Sequence, residues 1–349
     1  MGPEPHIWVR HEVRPEERRA PLVPADAARL VGGGATVTVE ESPARVFPDE
    51  EYAAAGCRIV PAGTWPDAPD DCFILGLKDP GRPAGPPRHR HIYFAHAFKG
   101  QYGSAELLGA FAAGGGTLLD LEHLVDEAGR RLVAFGYWAG YAGAALAVLH
   151  ARGRLDAPLR PARKAELDAA LREPGARPAT LVTGALGRCG RGARDALEVA
   201  GIEPTRWDVA ETRRLDRRAL LEHELLVHAV GTSRPAEPFV TTADLERGDR
   251  RLATIADVTC DVRSACHLLP CYDRTTRWER PVLRLPAGGR PVDVIAIDNL
   301  PSLLPAEAST AFSAGLAPLL AGLTVPGHPA WTRCERAFRR ALWKEAGVA

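Results

Sequence analysis

Four short apolar runs punctuate the first part of the chain: HIWVR from His6, ATVTVEE from Ala35, CFILGL from Cys72 and HIYFAH from His91. Each is bounded by Gly, Pro or charged residues, as strands are. Helix-like segments, PADAARLVGGG and GSAELLGAFAAGGG, lie between or after them. The same rhythm returns further on, with TLVTGA, EPTRWDV, ELLVHAV, ATIADVT and DVIAIDN as strands. Strands alternating with helices predict an α/β fold of two Rossmann-like domains, each a parallel sheet covered by helices, with the active site in a cleft between them. FGYWAGYAGAALAVL, residues 135–149, is apolar throughout but too short to span a bilayer, and predicts a buried helix. It marks the change of domain: residues 1–137 form the first and 138–324 the second. PLRPARKAELDAALREPGARPA, charged and Pro-rich, reads as a solvated excursion. WTRCERAFRRALWKEAG reads as an amphipathic helix, so residues from about 325 to 349 are expected to cross back to the first domain.

Composition narrows the function classes. The chain has 349 residues, with Lys plus Arg at 44 and Asp plus Glu at 44. A zero net charge offers nucleic acid no global basic field. MGPEPHIWVRHEVRPEERRAP carries charges where a secretion signal needs an apolar core, and no apolar run is long enough for a membrane span. A cytoplasmic protein with no membrane or nucleic-acid partner is expected. The seven cysteines are odd in number and irregular in spacing, which argues against a disulfide framework. Cys260, Cys266, His267 and Cys271 cluster, but without a CxxC pair; free thiols are expected there and no metal site.

The most specific local signal is TLVTGALGRCGRGARDALEVAG. An apolar strand runs into Gly184, Gly187 and Gly190 and then into a helix-like segment, a GxxGxxG variant of the dinucleotide fingerprint. Glycines allow a tight turn and let pyrophosphate approach the backbone N–H groups at the helix start. The fingerprint requires an acid about twenty residues on, and TRWD supplies Asp208. A carboxylate there accepts ribose hydroxyls and repels a 2′-phosphate, which favours NAD over NADP despite Arg206 and Arg213 nearby. The second domain is therefore expected to bind NAD and the first to hold the substrate.

Two strands of the first domain deliver charged groups at their C-terminal ends: Lys78 after CFILGL and His96 in HIYFAH. In a parallel sheet those ends open toward a ligand. Histidine moves protons in either direction near neutrality, and lysine does so when its surroundings lower its pKa. An acid and a base are what oxidative deamination needs. The amine loses a proton before hydride leaves, and water is then activated to attack the imine. Arg19, Lys99, Gln101, Arg130 and Arg131 add polar and cationic groups to the same half, which suits a substrate with several carboxylates.

These motifs, with ERRAPLVP, VPAGTWPDAPDDCFILGLK, HIYFAHAFKGQ, GTLLDLEHL, GRRLVAFGYWAGYAGAALAV, GALGRCG and IDNLPSLLPAEAS, resemble the NAD-dependent, lysine-forming saccharopine dehydrogenases, and more loosely the alanine dehydrogenase-like two-domain proteins. The likeness runs over almost the whole chain. It implies reversible oxidative deamination of saccharopine, with NAD as hydride acceptor and L-lysine (or a related amine) and 2-oxoglutarate released, by a monomer. It implies Lys78 as proton acceptor and His96 as proton donor, with Glu122 as an acidic neighbour that tunes them. Arg19, Gln101, Arg131 and Phe135 match positions that hold saccharopine, and Arg130 one that touches NAD. Gly184, Leu186, Gly187 and Arg188 represent the glycine loop, and Asp208 and Thr212 the ribose side. The strand ending ADVTCD and the turn IDNL, with Asp298 and Leu300, match loops that close on nicotinamide and substrate.

The departures bear on specificity. After DVTCD, where the family has a Pro- and Asn-containing turn, this chain reads VRSACHLLPCYDR and adds Arg263 and His267. Gly231 stands where a fungal relative has a tyrosine facing the cofactor. Cys189 aligns with a cysteine that some relatives pair with another, but Ala229 occupies the partner position, so that disulfide cannot form. The changed turn motivates a rival reading, the same chemistry on a different amine. Retention of Lys78, His96 and Arg131 together weighs against a second rival, a catalytically silent NAD-binding protein.

Overall fold

The computed structural model describes residues 4–81, 85–98, 103–232, 234–262 and 264–345. The chain divides into two units, the first made of Met1–Ala134 and Ala308–Ala349, the second of Phe135–Glu307.

Unit 1 runs β1 (His6–Val9), α1 (Pro24–Gly32), β2 (Thr36–Glu40), α2 (Asp49–Ala54), β3 (Arg58–Val60), β4 (Phe73–Leu75), β5 (Arg90–Tyr93), α3 (Ser104–Gly114) and β6 (Thr117–Asp120). The sheet order is β3-β2-β1-β4-β5-β6, and every pairing is parallel. The strands are too short and too fully buried to show alternation. Ile7, Trp8 and Val9, and Phe73, Ile74 and Leu75, are buried on both faces, as parallel strands covered by helices must be. β5 stops at Tyr93, short of the expected HIYFAH run. β3 and β6 are further strands of the sheet.

Unit 2 runs α4 (Gly136–Ala151), α5 (Lys164–Arg172), β7 (Thr180–Thr183), α6 (Arg188–Val199), β8 (Thr205–Trp207), α7 (Val209–Thr212), α8 (Arg217–Leu221), β9 (Leu225–His228), α9 (Thr242–Leu245), β10 (Thr254–Asp257), β11 (Leu283–Leu285) and β12 (Val292–Ile295). The order is β11-β12-β10-β9-β7-β8. It is parallel except for β11, which closes the edge antiparallel to β12; that strand breaks the all-parallel expectation. α4 is buried along most of its length because its Gly and Ala residues let α6 approach closely. A Cβ on Gly140 would lie 1.8 Å from the Cys189 carbonyl oxygen. The segment expected to be a solvated excursion instead contains α5. That helix docks by burying Leu171 and through Asp168, which is paired within the helix to Lys164 at 2.7 Å and accepts the Tyr141 hydroxyl of α4.

α10 (Pro305–Leu320) and α11 (Pro329–Glu345) end the described chain. The unit boundary falls inside α10, at Glu307/Ala308, rather than at about 325. From there the chain is tied into unit 1: the Ala20 N–H donates to Ser309 Oγ at 2.8 Å and the Val23 N–H to Ser313 Oγ at 3.0 Å. α11 packs on β6 and α3 through Cys334, Phe338 and Ala341.

Candidate active site

In unit 1 the strand order reverses between β1 and β4, the point where an open parallel sheet leaves room for a ligand beyond its C-terminal edge. Arg10 and Glu12 follow β1 there, and Lys78 follows β4. Glu12 Oε1 accepts the Leu77 N–H at 2.6 Å and Oε2 the Lys78 N–H at 3.0 Å. Arg10 donates to the Lys78 carbonyl and, at 3.0 Å, to that of His11. Burial raises the Glu12 pKa against the pull of Arg10. Burial also pushes Glu17 upward, but Arg19 and then Lys78 outweigh it and hold the carboxyl below its ordinary range. Arg19 is buried, and its Nε and one terminal nitrogen grip Glu17 at 2.7 and 2.6 Å.

His96 lies on the loop after β5 with φ 52°, in the left-handed region that a residue with a Cβ seldom occupies. Such strain gathers at functional sites. Its Nδ1 is 3.2 Å from Glu122 Oε1, and Arg131 reaches the same oxygen at 2.6 Å. Glu122 stands on the turn after β6, so β4, β5 and β6, three neighbours in the sheet, deliver Lys78, His96 and Glu122 from corresponding ends. Asp120 caps that turn by accepting the Glu122 N–H at 2.9 Å. Its burial, with the Glu122 charge adding to it, lifts its pKa to about 6. Arg130 is exposed and paired to Asp126 at 2.8 Å. Lys99 and Gln101 lie outside the described residues, as does Arg263.

In unit 2 the order reverses at β7, between β9 and β8, and the glycine loop leaves β7 there. Gly184 takes φ 68°, and a Cβ on it would meet the Ala229 carbonyl oxygen at 2.7 Å. A Cβ on Gly190 would meet the Gly184 oxygen at 2.1 Å, so the turn into α6 closes only with glycine at both places. Gly187 is the N-cap of α6. Leu186 and Arg188 project at the exposed loop tip. Asp208 ends β8; its Oδ2 accepts the Leu186 N–H at 2.8 Å and its Oδ1 the Val209 N–H at 2.9 Å. Each carboxylate oxygen keeps a lone pair for a ribose hydroxyl. Thr212 bonds back to the Asp208 carbonyl at 2.8 Å. Thr212, Val230, Gly231 and Phe239 line a cavity of about 380 Å³ beside the acid, which suits a flat aromatic base. Cradle, N–H groups, acid and cavity fit a dinucleotide. Phe135 is the N-cap of α4. Asp298 is exposed, whereas Leu300 is 2% exposed and packs in the core against the Gly143 position.

Sequence reasoning passed over Arg10, Glu12, Glu17 and Asp120. The signal that marked Lys78 and His96, charge straight after an apolar strand, was present in HIWVRHE too. It also passed over Asp257 at the end of β10, which accepts the Tyr272 hydroxyl at 2.6 Å and the Thr259 N–H at 2.8 Å. Beside it the fully buried His228 has its pKa lowered by burial. Among the described residues, Cys260, Cys266, His267 and Cys271 do not bring metal-ligating atoms together; His6, Asp71 and Cys72 do, within 4.8 Å.

Residues 8–142 match the family model of the alanine dehydrogenase/PNT N-terminal domain. The chain is 40% identical to the saccharopine dehydrogenase (NAD(+), L-lysine-forming) of Emericella nidulans, over 96% of this chain and 97% of that one. It is 38% identical to the enzyme of the same name from Schizosaccharomyces pombe, over 97% and 99%. A solved L-alanine dehydrogenase superposes with a TM-score of 0.70 at 18% identity, covering 99% of this chain and all of that one, a likeness of fold alone. Among the described residues no helix is long and apolar enough to cross a membrane.

Proposed function

The chain belongs to the NAD-dependent, L-lysine-forming saccharopine dehydrogenase family, and from that premise we propose that it oxidises saccharopine reversibly to L-lysine and 2-oxoglutarate. The observation that carries the reading is the delivery of Lys78, His96 and Glu122 from corresponding ends of three adjacent strands. NAD, when bound, supplies the hydride acceptor. The glycine loop with Leu186, Gly187 and Arg188 cradles its pyrophosphate, Asp208 takes the ribose hydroxyls, and Thr212 and Gly231 border the base.

Lys78 takes the proton from the secondary ammonium, which frees the nitrogen lone pair. Once the α-carbon of the glutaryl half is at the imine level, His96 draws a proton from the water that adds to it. His96 returns that proton to the nitrogen, and the carbon–nitrogen bond then breaks as the new hydroxyl gives its own proton to the neutral imidazole, which leaves the oxo acid and the free amine. Glu122 holds the imidazole and steadies its charged form. Arg131 and Arg19 anchor carboxylates, each sharing its guanidinium with a glutamate. Lys99, Gln101 and Phe135 complete the substrate side, and Arg130 and Asp298 the cofactor side. A monomer in the cytoplasm is part of the same reading, and light scattering tests the oligomeric state.

The decisive assay is oxidation of NADH by purified protein with 2-oxoglutarate and a panel of amino acids. Lysine should be the preferred amine. Lys78→Met and His96→Gln should each lower turnover by roughly 10²–10⁴-fold and leave the dissociation constant for NADH unchanged. Near wild-type turnover in both variants overturns the residue assignment. Activity with another amine but not lysine keeps the chemistry and moves the substrate.

A further inference from the structure

Lys78 stands beyond the end of β4, one residue past the Leu77 carbonyl that accepts the Phe94 N–H at 3.1 Å. Side chains from the β1 end add to that backbone bond. Glu12, 6% exposed, takes the N–H groups of Leu77 and Lys78, one on each carboxylate oxygen. Arg10, 1% exposed, takes the Lys78 carbonyl, and the two side chains lie 3.5 Å apart. Gly76 leaves the space the guanidinium occupies: a Cβ there would lie 2.4 Å from Arg10 Cζ.

A buried ion pair adds little net stability over apolar residues of the same shape. Both partners here nevertheless spend hydrogen bonds on one peptide unit and its neighbours. We propose that Arg10 and Glu12 form a clamp that positions Lys78 for proton transfer. The inference rests on the reading of Lys78 as the proton acceptor. Proton transfer needs the reacting atoms at hydrogen-bond distance, and a displacement of about 1 Å can cost about 10²-fold in rate. A lysine side chain swings on four single bonds. Fixing its Cα and peptide planes from both sides removes the part of that freedom that packing around the ammonium cannot reach. The reversal between β1 and β4 makes the arrangement possible, because β1 delivers the clamp to the strand beside it.

Glu12→Gln keeps the shape but turns an amide NH₂ toward a backbone N–H, so one of the two bonds is lost. It should lower kcat by about 10–10²-fold, with the KM values for lysine, 2-oxoglutarate and NADH held within about twofold. In a Lys78→Met background the same substitution should lower kcat no further, because the clamp acts only through Lys78. Gly76→Ala, which drives a methyl into Arg10, should reproduce the pattern and serves if Glu12→Gln fails to fold. An equal loss in the wild-type and Lys78→Met backgrounds overturns the clamp and leaves the role of Lys78 standing. Near wild-type turnover of Lys78→Met alone overturns the proton-acceptor reading itself.

Discussion

At the scale of single residues, the titration that structure makes visible belongs to Asp120. It is fully buried, and its pKa stands at about 6 against about 3.9 in an unfolded chain. Burial is the largest cause and the neighbouring Glu122 charge adds to it, while the hydrogen bond from the Glu122 N–H and the charge of His96 oppose them. Between those two pH values the folded protein holds the proton better than the unfolded one. Stability is therefore lost as pH rises from about 4 to about 6, by up to roughly 3 kcal/mol. Asp120→Asn stays neutral and still offers an oxygen to the Glu122 N–H. The stability of the variant minus that of the wild type should climb by about 1–3 kcal/mol between pH 4 and pH 7, read by urea unfolding at the two values. A flat or falling difference rules the account out. The sequence marks this aspartate as polar at a strand end, but only the fold buries it.

At the scale of elements, legibility depended on whether an element has one face or none. The glycine loop, α4 and the strands before Lys78 and His96 could be read because glycine spacing, a long apolar run and strand-end charge are local signals. α10 could not, since PAEASTAFSAGLAPLL is small or apolar on most sides and carries Pro318. α5 could not either, because a charged residue serves in its docking: Asp168 accepts the Tyr141 hydroxyl of α4. α4 shows the converse. Its glycines look like weak helix formers, yet at Gly140 the close approach of α6 outweighs propensity. Gly140→Ala should destabilise unit 2 by about 1–3 kcal/mol or more and weaken cofactor binding, since α6 begins at the glycine loop. Gly109→Ala, on α3 with no atom within 4 Å of its added methyl, should raise stability by about 0.5–1 kcal/mol. Thermal unfolding of the pair tests the contrast, and equal shifts of one sign would contradict it.

At the scale of the whole molecule, sheet order and chemistry point to different units. Unit 1 has the 3-2-1-4-5-6 order associated with dinucleotide binding, yet the segment from Arg10 to Val23 between β1 and α1 contains no glycine to cradle a phosphate. Unit 2 is extended by an antiparallel edge strand and departs from that order, but carries the turn, the helix start and Asp208. Fold order alone does not assign the ligand; the residues at the switch point do. On the proposed reading, one NAD per chain is expected, held by unit 2. At a concentration of NADH 100 times its dissociation constant, unit 2 should gain about 2.7 kcal/mol, with amide exchange slowed most from Gly184 to Arg188 and from Asp208 to Thr212. Asp208→Ala removes a hydrogen-bonded carboxylate worth about 1.5–3 kcal/mol. At the same NADH concentration the gain should shrink to about 1.4 kcal/mol or less. The variant also loses the repulsion of a 2′-phosphate, so its affinities for NADH and NADPH should converge while those of the wild type stay apart. Arg206 and Arg213 are the residues able to upset this; Arg206 is paired with Glu203 at 2.5 Å, and Arg213 borders the cavity beside Thr212. Equal stabilisation of the wild type by NADPH and NADH would show that Arg206 or Arg213 takes the phosphate and that Asp208 does not set the preference.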